Sequence, residues 1–163
     1  MTLYQYGEKK YPMLRVAERS DLPAVVSLKI QMFRDAGREH LLCKDAYQII
    51  LQDYKELYSR MECNHHIWVS DNNIVAMSGA FIKRDIPYRY FVKSTYGFLG
   101  DVYTQKGYRR KGLASQLCKE SINWLKSHGV DTVRLLATEQ AQSIYERMGF
   151  KKSEEMVLGL GVK

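Results

Sequence analysis

The chain has 163 residues, of which 45% are hydrophobic and 26% are charged, which is typical of one folded globular domain and not of a disordered chain. Its 25 Lys and Arg against 18 Asp and Glu give a formal net charge of +7, which favours an anionic partner. No apolar run reaches the ~20 residues of a membrane-spanning helix, the amino terminus lacks a signal-peptide pattern, and the three cysteines form no Cys-x-x-Cys pair, so we expect a cytoplasmic protein with reduced thiols.

The amino-terminal part is predicted to contain a short strand followed by two helices. The strand covers residues 13–17, and Ser20 is the expected N-cap of the first helix, with Pro23 in its first turn. Gly37 is expected to end that helix. Apolar residues that recur every three or four positions predict the second helix over residues 45–60.

Two short runs rich in β-branched and aromatic residues then predict a hairpin. They span residues 66–69 and 74–77, with a polar turn over residues 71–73 between them. His65 and His66 are adjacent here, but neighbouring residues of a strand point to opposite faces of a sheet. The two imidazoles therefore do not converge on one ion, and we predict no metal site.

A longer strand is predicted to lead through a basic loop into a third helix. The strand covers residues 95–104, and its glycines, Gly97 and Gly100, indicate a bulge. Apolar residues on one face between residues 113 and 125 predict the helix, and Gly129 is expected to close it.

The carboxyl-terminal part is predicted to add a strand over residues 132–136, a short helix over residues 139–148 that ends at Gly149, and a final strand over residues 156–160. The complete order is β-α-α-β-β-β-α-β-α-β. This order predicts an α/β domain with four helices.

The positive charge is concentrated around the basic loop. Residues 83–111 contain eight Lys and Arg against two Asp, a net +6 out of +7 for the chain. Within this stretch, residues 105–114 join a strand to a helix, and unpaired N–H groups at the positive end of a helix bind anions such as phosphate. The basic residues lack helical spacing and match no zinc-finger or RNA-recognition signature, so a nucleic-acid-binding module is the weaker alternative.

The loop does not match the common nucleotide-binding motifs. Gly107 and Gly112 have the spacing of a P-loop, but Leu113 and Ala114 follow where that motif needs Lys and Ser or Thr. The dinucleotide pattern G-x-G-x-x-G is absent as well. Neither ATP nor a dinucleotide is therefore predicted.

The same loop resembles the phosphate loop of the GNAT superfamily of acyl-CoA-dependent N-acetyltransferases. The family pattern is Gln or Arg, two residues, Gly, one residue, then Gly or Ala, and residues 109–114 match it. Residues 101–104 before the loop resemble the coenzyme strand of the family, and residues 141–150 after it resemble its second motif. The resemblance begins near Met13, so we predict one domain over residues 13–163 and an extension over residues 1–12.

This resemblance implies a mixed, mostly antiparallel central sheet that is flanked by four helices and splays between its fourth and fifth strands. It also implies acetyl-CoA as co-substrate. The residues implied in cofactor binding are Val102, Tyr103 and Thr104 along the pantetheine arm, Arg109, Arg110, Lys111, Gly112, Leu113 and Ala114 around the pyrophosphate, Thr138 just before the last helix, and Ser143 on that helix. Thr138 stands where the family often has Asn, so its contact is expected to be weaker.

The resemblance implies one catalytic residue, and the reaction's need for a base adds two candidates. Tyr145 occupies the position of the tyrosine that protonates the departing thiolate, and a phenol with a pKa near 10 is a suitable donor at neutral pH. Asp101 and Glu139 are the candidate bases that take the proton of the acceptor amine, directly or through water. The backbone N–H of Val102 is expected to stabilise the tetrahedral oxyanion.

Together, these features predict an enzyme that moves an acetyl group from acetyl-CoA to a primary amine of a small molecule or peptide, by direct attack in a ternary complex. The acceptor pocket is expected between the first two helices, their connection over residues 37–44, and residues 88–91. A non-catalytic module that binds acyl-CoA and regulates a partner stays an alternative. We expect no nucleic-acid or membrane partner, and a homodimer stays open.

Overall fold

The computed structural model describes residues 12–87, 93–158 and 160, and these form five strands and four α-helices. The strands are β1 (Met13–Val16), β2 (Cys63–Ser70), β3 (Asn73–Arg84), β4 (Thr95–Thr104) and β5 (Val133–Arg134). The helices are α1 (Leu22–Asp35), α2 (Ala46–Ser59), α3 (Leu113–Ser127) and α4 (Glu139–Arg147). Short 3-10 turns lie at Arg19–Asp21, Glu39–Leu41 and Lys106–Tyr108.

The strands form one sheet in the order β1-β2-β3-β4-β5. The first four strands pair antiparallel, whereas β5 pairs parallel to β4. The β4–β5 ladder joins only Gly97 with Val133 and Phe98 with Arg134, so β4 is unpaired with β5 from Leu99 onward. This arrangement confirms the predicted mixed sheet, and the gap beyond Phe98 is called the sheet opening below.

Helices cover both faces of the sheet. On β3, Met77 and Phe81 pack with residues of α1 and α2, whereas Ala76 and Ala80 pack with residues of α3, as the alternation of a strand requires. The side chain of Tyr145 places α4 on the same side as α3. Within the part of the chain described, no helix combines the length and the apolar character that a bilayer crossing requires.

The central strand β3 continues to Arg84, well beyond the predicted end at residue 77. Gly79 lies inside the ladder opposite His65. A Cβ at Gly79 would lie 2.8 Å from the ring of Phe81 and 3.0 Å from the ring of His65. This glycine is therefore needed for close packing on a continuous strand.

The prediction that Ser20 caps α1 is wrong. Ser20 lies within the 3-10 turn, whose own capping box joins Glu18 and Asp21. The Arg15 guanidinium donates to both carboxylate oxygens of Asp21, at 2.6 and 2.9 Å, and so stabilises this turn. As a result α1 begins at Leu22, with Pro23 in its first turn as predicted.

The predicted final strand over residues 156–160 is also wrong for its described residues. Residues 151–158 have no regular secondary structure, and Met156 is 95% exposed. The neighbouring edge strand β5 has only two residues, so it offers almost no ladder for a further strand. An apolar run forms a strand only where the edge of another strand is available for pairing. Here the segment contacts β5 through an ion pair between Glu155 and Arg134 at 2.8 Å.

Candidate active site

A bulge in β4 lies beside the sheet opening. The ladder with β3 shifts between Met77 and Gly79, so Asp101 and Val102 both lie opposite Ser78. Asp101 has a φ of 52°, a left-handed conformation that Asp and Asn adopt more readily than most residues. As a consequence, Asp101 contacts α1 and α2, whereas Val102 packs with the residues of α3 and α4.

The two glycines of β4 do not form this bulge, which corrects the prediction. Neither Gly97 nor Gly100 has a positive φ. Instead, a Cβ at Gly97 would lie 2.8 Å from Leu125, and a Cβ at Gly100 would lie 3.2 Å from Phe98. The glycines thus allow side chains to pack closely over the strand.

The Asp101 carboxylate accepts hydrogen bonds from three side chains on three different elements. Nζ of Lys29 in α1 donates to Oδ1, and the hydroxyl of Tyr54 in α2 donates to Oδ2. Nε2 of His65 in β2 lies 3.0 Å from the same Oδ2. Asp101 is 6% exposed and His65 is fully buried, whereas the Lys29 side chain is 22% exposed and so is nearest to solvent.

His65 extends this network to Tyr58. The Tyr58 hydroxyl lies 3.0 Å from Nδ1 of His65, so this hydroxyl donates to Nδ1 while Nε2–H donates to Asp101. The thiol of Cys63 lies 3.8 Å from the same Nδ1, so the side chains of Cys63, His65 and Asp101 form a row of contacts like that of a Cys-His-Asp triad. Burial raises the pKa of the Cys63 thiol and removes it from solvent, so this trio does not form a reactive nucleophile.

The surroundings of Asp101 suit an anchor better than a base. Burial acts to raise the pKa of Asp101, but the hydrogen bond from His65 and the charge of Lys29 outweigh burial and hold the pKa well below its usual range. A carboxylate that is held ionised in this way accepts a proton poorly at neutral pH. Its main physical effect is to join α1, α2 and β2 at the bulge.

The loop over residues 109–114 presents unpaired backbone N–H groups. Among the turn and cap hydrogen bonds of the described residues, none is donated by the amides of residues 110–114. Gly112 is the N-cap of the 15-residue helix α3 and has a φ of 74°. A Cβ at Gly112 would meet nothing within 4 Å, so the space over the loop is open, and the amides at this positive helix end fit a diphosphate group.

The basic side chains of the loop divide into two groups. Arg109 binds the carboxylate of Asp35 at 2.9 Å, and Lys106 lies 3.8 Å from it, so both cations face a protein anion. Arg110 is exposed, and Nζ of the exposed Lys111 lies 5.2 Å from the centre of the Tyr108 ring. The positive charge available to a ligand here is therefore smaller than the sequence alone suggested.

Tyr145 lies on the α3 and α4 side of the sheet opening. It is 8% exposed and packs with Leu99 and Cys118, while its ring meets Phe150 edge-on at 5.9 Å. Burial raises the pKa of Tyr145 to about 12, so its hydroxyl stays protonated at neutral pH. No described residue forms a hydrogen bond with this hydroxyl, which leaves it available as a donor.

The remaining predicted site residues lie on α4, at the end of β4 and at the start of α3. Thr138 is the N-cap position of α4, and Glu139 and Ser143 are exposed on that helix. Thr104, at the end of β4, has a buried Oγ1 without a hydrogen-bond partner. Leu113 is buried against Ala76 and Leu117, so its side chain belongs to the core.

A cavity of about 440 Å³ lies between α1, the Glu39–Leu41 turn and the start of α2. It is lined by Ser27, Ile30, Arg34, Glu39, Leu42, Cys43, Lys44, Ala46 and Tyr47. The sequence predicted an acceptor pocket between the same two helices, and the use of this cavity by an acceptor stays a prediction. The predicted contribution of residues 88–91 lies outside the described residues.

The two adjacent histidines point to opposite faces of β2. His65 faces Asp101, whereas Nδ1 of His66 lies 3.2 Å from the hydroxyl of Ser121 in α3. Among residues 12–87, 93–158 and 160, no group of three or more His, Cys, Asp or Glu is arranged to hold a metal ion.

Comparison with known proteins identifies a family. Residues 30–150 match the model of the acetyltransferase (GNAT) family. The chain is 29% identical over 118 residues to N-alpha-acetyltransferase 30 of Schizosaccharomyces pombe. The aligned region covers 68% of this chain and 79% of that protein.

Solved structures agree in fold. A predicted acetyltransferase with acetyl-CoA from Clostridium acetobutylicum superposes with a TM-score of 0.84 at 20% identity, covering 91% of this chain and 96% of that one. A GCN5-related N-acetyltransferase from Ralstonia eutropha JMP134 superposes with a TM-score of 0.78 at 20% identity, and the superposition covers 91% of this chain and 98% of that one. At this level of identity the likeness concerns the fold.

Proposed function

Because this chain belongs to the GNAT family and is an acetyl-CoA-dependent N-acetyltransferase, we propose that its 109–114 loop holds the pyrophosphate of acetyl-CoA and that Tyr145 protonates the departing thiolate. The observation that carries this proposal is the run of unpaired amides over residues 110–114 at the start of α3. Such amides, together with the helix dipole, bind phosphate without a dedicated side chain.

The pantetheine arm would then run along the sheet opening. Beyond Phe98, β4 is unpaired with β5, so the backbone of Val102, Tyr103 and Thr104 is free on that side to pair with an extended amide-containing chain. Thr138 and Ser143 lie on the α4 side and would supply hydroxyl contacts.

The chemistry would proceed by direct attack. The neutral acceptor amine adds to the thioester carbonyl, and the backbone N–H of Val102 donates to the oxyanion that forms. When the carbon–sulfur bond breaks, Tyr145 donates its proton to the thiolate and regains one from solvent. The extra proton of the acceptor nitrogen leaves to a base, so the products are an acetamide and free CoA.

For that base, the environment favours Glu139 over Asp101. Asp101 is saturated by three donors and held ionised, whereas Glu139 is exposed in the first turn of α4. We therefore propose Glu139, acting directly or through water, as the base, and Asp101 as the anchor of the bulge.

The acceptor would be a primary amine of a small molecule or peptide that enters from the side of α1 and α2. Two features support this side: the cavity of about 440 Å³ between these helices, and the position of Lys29 at the solvent-facing end of the Asp101 network. The likeness to a relative named N-alpha-acetyltransferase 30 supports a peptide amine among the acceptors to be tried first. Release of CoA thiol with pooled peptides, polyamines and aminoglycosides would identify it.

The variant Gly112→Ala tests the loop. Alanine in a left-handed conformation costs about 1 kcal/mol, and its methyl group would occupy the open space over the loop. We expect the Kd of acetyl-CoA to rise about tenfold or more, measured by isothermal titration.

Gly129→Ala is the matched control for this variant. Gly129 has a φ of 78°, nothing lies within 4 Å of its added Cβ, and it follows the opposite end of α3. It should lose similar stability and bind acetyl-CoA normally. Equal affinities of the two variants would place the pyrophosphate elsewhere.

A further inference from the structure

We propose that Asp35 is a positioning residue that holds the 109–114 loop in its cofactor-binding conformation and links this loop to α1. This inference rests on the proposed function of the loop. It concerns a residue that no motif in the sequence singles out.

One carboxylate gathers groups from three parts of the fold. Oδ2 of Asp35 accepts hydrogen bonds from Arg109 at 2.9 Å and from the hydroxyl of Tyr103 at 3.0 Å. Oδ1 accepts from Gln31 at 2.8 Å and lies 3.8 Å from Nζ of Lys106. The Asp35 side chain is only 10% exposed, whereas the side chains of Arg109 and Lys106 are 45% and 75% exposed, so the carboxylate is sheltered while its two ion pairs lie at the surface.

The position of Asp35 is unfavourable for the helix that carries it. Asp35 is the last residue of α1, where the helix dipole is negative and a carboxylate is destabilising. The hydrogen bonds from Gln31 and Tyr103, with the charges of Lys106 and Arg109, nevertheless lower the pKa of Asp35 and keep it ionised. Asp35 thus destabilises its own helix end but makes contacts with β4 and the loop, which indicates that its role lies in those tertiary contacts.

The main partner of Asp35 is fixed on several sides. Nε of Arg109 donates to the carbonyl oxygen of Thr104 at 2.9 Å, and its guanidinium carbon lies 5.9 Å from the centre of the Tyr103 ring. The side chain of Arg109 therefore binds the protein, while its backbone begins the loop. Without Asp35, this guanidinium would keep only its hydrogen bond to Thr104 and its contact with the Tyr103 ring. The loop would then populate other conformations more often, which lowers the apparent affinity for acetyl-CoA.

Asp35 also connects the 109–114 loop to the cavity between α1 and α2. Arg34, which precedes Asp35, lines the cavity between α1 and α2 and binds Glu39 at 2.7 Å. Movement of the loop would therefore be felt at the end of α1, next to the proposed acceptor side.

The test is Asp35→Asn, which keeps the side-chain shape and removes the charge. We expect the Kd and the KM of acetyl-CoA to rise about tenfold, because the weaker contacts to Arg109 and Lys106 loosen the loop, and this loss of positioning outweighs the positive charge that the substitution frees. The kcat should stay within about twofold, since the reacting groups are unchanged. The matched control is Asp131→Asn, which removes a carboxylate from an exposed ion pair with Lys93 at 3.4 Å. It should bind acetyl-CoA as the wild type does.

A second variant keeps the test decisive if Asp35→Asn folds poorly. Arg109→Gln removes the other half of the contact at a half-exposed position and should raise the Kd similarly, and the double variant should be no worse than either single one. Unchanged acetyl-CoA affinity in either single variant, or a loss confined to kcat, would overturn the role of Asp35. Failure of the wild-type protein to bind acetyl-CoA would instead reject the proposed function of the loop.

Discussion

Replacing Tyr145 by Phe is expected to lower kcat about 100-fold while the Kd of acetyl-CoA stays within about twofold of the wild type. The reason is that a positioned general acid contributes at least about two orders of magnitude, whereas the ring that packs with Leu99 and Cys118 is retained. Thiol release with the identified amine acceptor gives kcat, and isothermal titration gives the Kd.

The same variant separates catalysis from packing. The Tyr145 hydroxyl forms no hydrogen bond with a described residue, so its removal should change the free energy of unfolding by less than about 0.5 kcal/mol. Because the pKa of Tyr145 is about 12, its ionisation should not reduce kcat of the wild type below about pH 11. A variant with wild-type turnover would show that the thiolate is protonated by another group.

Asp101→Asn is expected to lower the free energy of unfolding by about 3 kcal/mol at pH 7, because it leaves the Lys29 ammonium without its partner in a mostly buried site. Asn also tolerates the left-handed backbone of residue 101, so the effect reports the charge and not the conformation. Urea denaturation measures the difference, and Lys29→Met with the double variant completes a cycle that isolates the pair.

The stability lost in Asp101→Asn should depend on pH in a defined direction. The pKa of Asp101 is lower in the folded than in the unfolded chain, so the unfolded chain takes up the proton first as the pH falls. The difference between wild type and variant should therefore be full above about pH 5 and shrink as the pH falls below about 4. A difference that is constant between pH 7 and pH 3 would mean that the carboxylate charge does not stabilise the fold.

The sequence predicted those helices and turns whose formation depends on residues close together in the chain. The spacing of apolar residues located α2 and α3 closely, and Gly112 and Gly129 marked the two ends of α3 because both adopt a positive φ. The loop between β4 and α3 was predictable for the same reason, since a strand, a glycine-containing turn and a helix start follow each other in sequence. The role of its amides in cofactor binding stays a prediction.

Long-range contacts were not predictable from the sequence. The sequence makes Asp101 one of two candidate bases because of its place at the end of a strand. Its partners Lys29 and Tyr54 are distant in the chain, and only the structure shows that they hold its carboxylate. Asp35 was missed altogether, and the one available signal was a carboxylate at the wrong end of a helix. The prediction of a final strand over residues 156–160 is wrong for the residues that the structure describes there, because an apolar pattern does not reveal whether a neighbouring edge is present.

Amide hydrogen exchange with and without saturating acetyl-CoA tests the central claim most directly. If the loop grips the pyrophosphate, exchange at the amides of residues 110–114 should slow about tenfold or more on binding, while the turn at Gly129 changes little. Unchanged exchange at residues 110–114, with acetyl-CoA demonstrably bound, would contradict the account.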